Sequence, residues 1–225
     1  SAVAGTGSGG TGITGGTGNM VMISAAGGST SCSIANNNIG NRVASSVSGG
    51  GSITGINLTN AVGGTAAVTS NLISGISSSG NAASVYGINS AVPSVTITGD
   101  SINTISASGN AALLQAILVS GTGTGTVIQN HIAAISGTGT GAVQANGISI
   151  TAGTTVTVFK NKIFDLAEQN SAGNTVPLVN GIVLQSGTTV TAHNNFVSDL
   201  KAPVANIAEA ARGIAITSTT ANSTY

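Results

Sequence analysis

Apolar residues alternate with small polar residues in short stretches along the chain, and glycine, asparagine or serine separates each stretch from the next. The pattern is clearest from Gly147 to Leu166, in the segment GISITAGTTVTVFKNKIFDL. Because strict alternation over a few residues marks a half-buried strand, this segment is predicted to form three short strands. They span 147–150, 155–158 and 163–166, with Asn161 at the corner before the third strand.

The same unit recurs when the chain is aligned on the residue that corresponds to Asn161. The corner residues are 29 to 34 residues apart, a period typical of solenoid proteins. They are Asn37, Asn71, Asp100, Asn130, Asn161 and Asn195. Mostly apolar residues stand five and three positions before the corner and two and five positions after it. The asparagines are predicted to hydrogen-bond from unit to unit and to adopt the left-handed backbone of a sharp corner, with Asp100 as a substitute for asparagine.

These features predict an all-β fold, a parallel β-helix with three short strands per coil and about seven coils of about 30 residues. Equivalent small and β-branched side chains would stack about 4.8 Å apart and fill a narrow core. Helical periodicity is weak and confined to 204–212. A single β-helix is predicted for 1–225, with an irregular Gly/Thr-rich start at 1–18 and the start of a further coil at 217–225. The chain is therefore interpreted as a segment of a longer rod.

Composition narrows the class of protein without defining a function. Hydrophobic residues make up 40% and charged residues 4% of the chain, which excludes the disordered class of low hydrophobicity and high net charge. Five Lys and Arg against five Asp and Glu predict no nucleic-acid partner. No apolar run is long enough to span a membrane, so membrane insertion is not predicted. No charged start precedes an apolar block, so a signal peptide is not predicted. Cys32 lies in an inward row and is predicted to be a buried, inert thiol.

Two rows of hydroxyl side chains form the main candidate binding surface. They stand six and four positions before the corner, and they point outward because they alternate with the apolar positions. Eight of these residues are threonines: Thr65, Thr96, Thr124, Thr126, Thr155, Thr157, Thr189 and Thr191. A flat Thr-x-Thr array is the arrangement with which β-helical ice-binding proteins hold ordered water. Threonine is also a favourable residue for any exposed strand, so both interpretations stay open.

Two aspartates form the only other candidate constellation. Asp165 and Asp199 occupy equivalent positions of adjacent units and should lie one strand spacing apart. In β-helical polysaccharide lyases, carboxylates on neighbouring coils bind calcium or act on uronic acids, but calcium needs six to eight oxygen ligands. The alternative is a solvated set of ion pairs with Lys162 and Lys201.

Metal, cofactor and catalytic sites are not predicted. His131 and His193 stand in different rows, so they are interpreted as separate surface residues. The Gly-x-Ser-x-Gly elbow of serine hydrolases is absent, and no catalytic triad can be assembled. The chain is not expected to be an enzyme.

The units TVTVFKNKIFDL and TVTAHNNFVSDL, with the Gly-Ile-x-aliphatic strands upstream of such units, resemble a known kind of repeat. They are similar to the Ser/Thr/Asn/Gly-rich β-helix repeats of large secreted and surface proteins of Bacteroidetes and related bacteria, which are frequently adhesins. The resemblance covers nearly the whole chain. It implies an extracellular or cell-surface location and a right-handed coil, in line with the general handedness of parallel crossovers.

Three functions follow as expectations. The first and favoured one is a structural or adhesive rod segment, filament- or stalk-forming, with other copies or flanking coils of the same protein and cell-surface polysaccharide as partners. The second is a binding module for ice or carbohydrate that uses the threonine face. The third is a polysaccharide-active enzyme, which rests only on analogy of fold.

Overall fold

A computed structural model describes residues 20–26, 31–44, 52–59, 64–81, 83–110, 112–139, 141, 143–170 and 178–218. Within these ranges the regular structure consists of short strands that follow one another in coils. The first coil contains β1 (Met20–Ala25), β2 (Ser31–Ala35) and β3 (Asn38–Ala44). The second contains β4 (Ile53–Leu58), β5 (Thr65–Thr69) and β6 (Leu72–Ser78), and the third contains β7 (Ser84–Ser90), β8 (Ser94–Thr98) and β9 (Ser101–Ala107).

The later coils repeat this arrangement. The fourth contains β10 (Leu113–Val119), β11 (Thr124–Ile128) and β12 (His131–Gly137), and the fifth contains β13 (Gln144–Ile150), β14 (Thr155–Phe159) and β15 (Lys162–Glu168). The sixth contains β16 (Val179–Leu184), β17 (Thr189–His193), β18 (Phe196–Val197) and β19 (Leu200–Lys201). The last described strand is β20 (Ala211–Ile216).

Strands at the same place in successive coils pair in parallel and form three sheets along the molecule. The first sheet has the order β1-β4-β7-β10-β13-β16-β20, and the second has the order β2-β5-β8-β11-β14-β17. The third has the order β3-β6-β9-β12-β15-β18, with β19 also paired to β15. The predicted all-β parallel solenoid with three strands per coil is confirmed.

The number of coils is smaller than predicted. Five coils have three unbroken strands, the sixth has its third side divided between β18 and β19, and β20 adds one strand to the first sheet. The described part of the chain contains no helix: residues 203–210 form turns, and 211–216 belong to β20. The predicted irregular start at 1–18 lies outside the described residues, as do residues 219–225 of the predicted further coil.

The inward rows stack in register, as the alignment predicts. One row of the first sheet consists of Ile56, Ile88, Ile117, Ile148 and Ile182, all 0% exposed. Burial of one such side chain contributes about 1.5–3 kcal/mol before conformational entropy is counted. Because each residue lies on its equivalent in the next coil, a core of Val, Ile and Ala fills the space between three walls without large aromatic side chains.

The corner before the third sheet is built differently from the prediction. The left-handed residue is the one before the corner asparagine, with φ between 54° and 66° in every coil. These residues are Asn36, Ser70, Gly99, Gln129, Lys160 and Asn194. The reversal of the chain at this residue turns the following asparagine inward, where Asn71, Asn130 and Asn161 are 1% exposed.

The third sheet contains a bend that simple alternation does not predict. Residues four positions after the corner also have φ between 51° and 64°. They are Gly75, Thr104, Ala134, Asp165 and Asp199. Strict alternation would place positions two and five after the corner on opposite faces. The bend brings both inward, so Ile163 and Leu166 are each 0% exposed, and β15 extends beyond the predicted 163–166.

Candidate functional site

The corner asparagines form a hydrogen-bonded ladder inside the molecule. Nδ2 of Asn130 donates to Oδ1 of Asn161 at 3.0 Å and to the backbone carbonyl of Ile97 at 3.1 Å. Oδ1 of Asn161 also accepts from the backbone N–H of Asn130 at 3.0 Å. Side-chain bonds of the same kind link the other asparagines of the row, Asn37 to Asn71 and Asn161 to Asn195. The predicted bonding from unit to unit is thus present along the described coils.

Asp100 interrupts the ladder with a carboxyl group. Its Oδ1 accepts from the backbone N–H and Nδ2 of Asn71 at 2.7 and 2.8 Å, and its backbone N–H donates to Oδ1 of Asn130 at 2.9 Å. Its Oδ2 occupies the place of an asparagine Nδ2, and it is buried without a hydrogen-bond partner. Burial raises the pKa of the Asp100 carboxyl above its ordinary value, while the bonds from Asn71 offset part of the rise. Asp100 therefore replaces asparagine in position but not in bonding.

The threonine rows lie on the outer face of the second sheet, where the alternation places them. Six threonines on β11, β14 and β17 form a regular array of two rows. One row consists of Thr124, Thr155 and Thr189, and the other consists of Thr126, Thr157 and Thr191. Thr65 and Thr96 belong to the same rows in β5 and β8, but their partners there are Ser94 and Ala67. The array is therefore regular only over the last three strands of this sheet.

A cluster of aromatic and cationic side chains surrounds the asparagine corner in coils four to six. We name it the aromatic corner, and it consists of His131, Phe159, Lys160, Lys162, Phe164, His193 and Phe196. The rings of Phe159 and His193 stack with centroids 5.1 Å apart and an interplanar angle of 8°. The rings of His131 and Phe164 meet edge to face at 5.2 Å. The two pairs lie on either side of the corner, one on the second sheet and one on the third.

The lysines of the aromatic corner lie over these rings. Nζ of Lys162 is 5.0 Å from the ring centroid of Phe164, and Nζ of Lys160 is 6.0 Å from that of Phe159. Phe196 follows on the next coil and is 54% exposed. This part of the surface therefore presents flat apolar rings and positive charge together, in a chain whose other outward positions are mostly Ser, Thr, Asn and Ala.

The aromatic corner was missed at the level of sequence, although the alignment contains a signal for it. Phe159 and His193 both stand two positions before the corner asparagine, so they share a row and pair directly in β14 and β17. His131 and Lys162 likewise share the row one position after it. The two histidines do lie in different rows, as expected. The row shared by each histidine with a phenylalanine or lysine is the signal, and the positions of the two histidines relative to each other do not reveal it.

Asp165 and Asp199 lie on adjacent coils, as predicted, and Lys201 joins them. Nζ of Lys201 is 3.2 Å from Oδ1 of Asp165 and 2.9 Å from Oδ2 of Asp199. Hydrogen bonds to Asp199 and then to Asp165 raise the pKa of the Lys201 ammonium above its ordinary value. All three side chains are about half exposed, so the cluster contributes little to stability. The ion-pair interpretation fits this geometry for Lys201, whereas Lys162 lies over Phe164.

A shallow cleft of about 260 Å³ lies beside these carboxylates on the outer face of the third sheet. The polar residues that line it are Thr104, Ser106, Ser136, Asp165 and Gln169. Nε2 of Gln169 donates to Oγ of Ser136 at 3.2 Å. Thr104 and Asp165 belong to the left-handed bend of this sheet. The bend therefore shapes the cleft, which hydroxyl, amide and carboxylate groups line together.

Cys32 is a free thiol and is half-buried. Its place in an inward row predicted full burial, so that prediction is wrong in degree. Among the described residues, no three His, Cys, Asp or Glu side chains lie close enough together to hold a metal ion. The described part of the chain also has no helix of the length and apolarity needed to cross a membrane.

The fold and its surfaces define the chain as a three-sided parallel β-solenoid. Comparison with protein-family models, with curated proteins and with solved structures finds no match. The parallel pairing and register of the strands define the fold, and the walls of the solenoid carry its candidate binding surfaces.

Proposed function

We propose that the chain is a structural and adhesive segment of an extracellular or cell-surface protein. The observation that carries the proposal is the register of the three sheets, in which equivalent positions stay paired from coil to coil. Such stacking produces a stiff body that grows along one axis, since each coil contacts only its neighbours. Its walls are polar with few charges, which suits a spacer or stalk that exposes a local binding surface.

The exposed end strand β20 supports the filament-forming part of this proposal. Ile214 and Ile216 are 49% and 52% exposed, although their equivalents Ile182 and Leu184 are 0% and 1% exposed. These apolar side chains would be covered by another coil, such as one from a second copy. Open strands that pair between copies in one direction produce a non-closing assembly.

We expect the chain to associate end to end in a concentration-dependent manner, with elongated particles in electron microscopy and larger species in sedimentation velocity. Changing Ile214 and Ile216 to Lys should abolish association, because charges would then stand in the contact. The matched control is Thr124→Lys with Thr126→Lys on β11, a strand that is paired on both sides within its sheet, and it should leave association unchanged. Dispersed single particles at every concentration of the unaltered chain would count against filament formation.

A second function, ice binding, is favoured by the regular array on β11, β14 and β17. Each of these strands carries Thr-x-Thr in register, so hydroxyl and methyl groups repeat at the strand spacing of about 4.8 Å. We expect thermal hysteresis that is lost in Thr157→Tyr, because the ring would break the flat face. Ser101→Tyr, on the third sheet, is the control and should retain it. Absence of hysteresis in the unaltered chain would eliminate ice binding.

A further inference from the structure

We propose that the aromatic corner binds an acidic polysaccharide. This inference rests on the adhesive function proposed above and names the ligand class for that function.

The fold does not require aromatic residues at these positions. The row of Phe159 contains Thr98 in the third coil, and the row of Phe164 contains Ala133 in the fourth. Both small residues are accommodated in the same sheets. The chain has only three phenylalanines and two histidines, yet all five belong to this one surface. Packing of the core therefore does not account for the cluster.

The rings are partly accessible along the axis: Phe159 and Phe164 are half-buried, whereas His131, His193 and Phe196 are exposed. Phe159 with His193 and Phe164 with His131 lie on the two sides of the corner, and Phe196 follows one coil on. The apolar C–H face of a pyranose ring packs on an aromatic ring, and sites for such ligands combine aromatic side chains with a few polar groups. Platforms on successive coils suit a polymer with a repeating ring better than a single small molecule.

The charge around the rings selects an acidic polymer. Within the described residues neither Lys160 nor Lys162 forms an ion pair, whereas the nearby carboxylates of Asp165 and Asp199 are both bound by Lys201. Each lysine lies over a phenylalanine ring without a carboxylate partner in the part of the chain that the structure describes, so its charge can meet carboxylate or sulfate groups of a ligand. Two such contacts are few for a nucleic acid, whose binding typically neutralises about six to ten phosphates.

The cleft on the third sheet supplies the polar groups that sugar hydroxyls need. One of its lining residues, Asp165, directly follows Phe164 in sequence, and the Asp165 carboxylate is paired with Lys201. The cleft also presents Ser106, Ser136 and Gln169. A chain that stacks on Phe164 could extend into this cleft and exchange hydrogen bonds with its hydroxyl and amide groups.

The experiment compares binding to carboxymethyl-dextran and to dextran, which share a backbone and differ in charge. The substitutions use residues that the fold already carries in the same rows: Phe159→Thr, Phe164→Ala, Lys160→Gln and Lys162→Ser. We expect the unaltered chain to bind carboxymethyl-dextran, and the double Phe variant to bind it about tenfold more weakly. The double Lys variant should show a similar loss of affinity for carboxymethyl-dextran at low salt. Raising the salt concentration should weaken its binding little further, because its ionic contacts are already absent.

Tyr86→Gln is the matched aromatic control. Gln115 occupies the same row in the next coil, and the site lies on the first sheet, so binding should not change. Equal binding to dextran, equal losses in the control, or tighter binding to a single-stranded oligonucleotide would each overturn the proposal.

Adhesion itself is measured separately, with beads coated with the unaltered chain or the double Phe variant on polysaccharide and on bare surfaces. Adhesion of the unaltered chain to the polysaccharide, lost in the variant, supports the inference. Equal adhesion of both would retain the adhesive function and overturn this ligand site. Adhesion of neither would overturn the adhesive function.

Discussion

Replacing Asp100 with asparagine is expected to raise the free energy of unfolding at neutral pH by about 2 kcal/mol. The carboxyl Oδ2 is buried without a partner, and an unpaired buried polar atom costs its full desolvation. An asparagine would instead offer Nδ2 to Oδ1 of Asn130, as Asn130 does to Asn161 at 3.0 Å. Urea unfolding of the unaltered chain and of Asp100→Asn measures the difference.

The size of this difference should depend on pH in a defined direction. The folded-state pKa of Asp100 lies above its ordinary value of 3.8, so between these two values the folded chain holds more protons than the unfolded chain. The contribution of Asp100 to stability is therefore greatest below the ordinary value and falls as pH rises through the raised one. The advantage of Asp100→Asn should accordingly shrink in acid, where the protonated carboxyl becomes a donor.

A converse substitution provides the control for Asp100. Asn161→Asp places the same acid in the same ladder, and it should lower the free energy of unfolding at neutral pH and recover part of the loss in acid. A gain for Asp100→Asn that is independent of pH would contradict the role of the carboxyl proton. No gain at all would mean that Oδ2 carries no desolvation cost.

Removal of the side chain of Asn130 is expected to cost about 3 kcal/mol, more than the loss at a half-buried corner position. Its Nδ2 donates to Ile97 and Asn161, and its Oδ1 accepts from the backbone N–H of Asp100 at 2.9 Å. In Asn130→Ala the buried N–H of Asp100 and the carbonyl of Ile97 both lose a partner. The free energy of unfolding in urea measures this cost.

Asn37→Ala serves as the comparison at the first corner of the ladder. Asn37 donates to Asn71 in the same way at 2.9 Å, but it is only half-buried, so water can replace part of the lost bonding. Its loss should be clearly smaller than that of Asn130→Ala. Equal losses at both positions would imply that burial does not determine the strength of the ladder.

The sequence predicted the features that repeat in residue type. The inward rows and the asparagine ladder were identified because Ile, Val and Asn recur at fixed positions in every unit. The left-handed residue before the corner was not, because residues of different size and charge occupy this position, among them Gly99, Gln129 and Lys160. Backbone geometry is conserved there from coil to coil without a matching residue type.

The candidate surfaces were predicted to different degrees for the same reason. The threonine rows are visible in the sequence because one residue type repeats. The aromatic corner combines Phe159, His193 and Lys162, which differ in type and belong to two sheets, so only the fold brings them together. The number of complete coils was overestimated because the third side of the sixth coil is divided. Ser198 and Asp199 separate two short strands there, where earlier coils have one strand.

The loops between sheets have a consequence for the length of the molecule. Coils of 29 and of 34 residues, such as those from Asn71 to Asp100 and from Asn161 to Asn195, each advance the sheets by one strand. The extra residues are accommodated where β15 ends at Glu168 and β16 begins at Val179, and every described strand of the second sheet keeps five residues. Distance along the axis therefore depends on the number of coils, about 4.8 Å for each. A gene that gains one unit would lengthen the protein by a constant step, whatever loops that unit encodes.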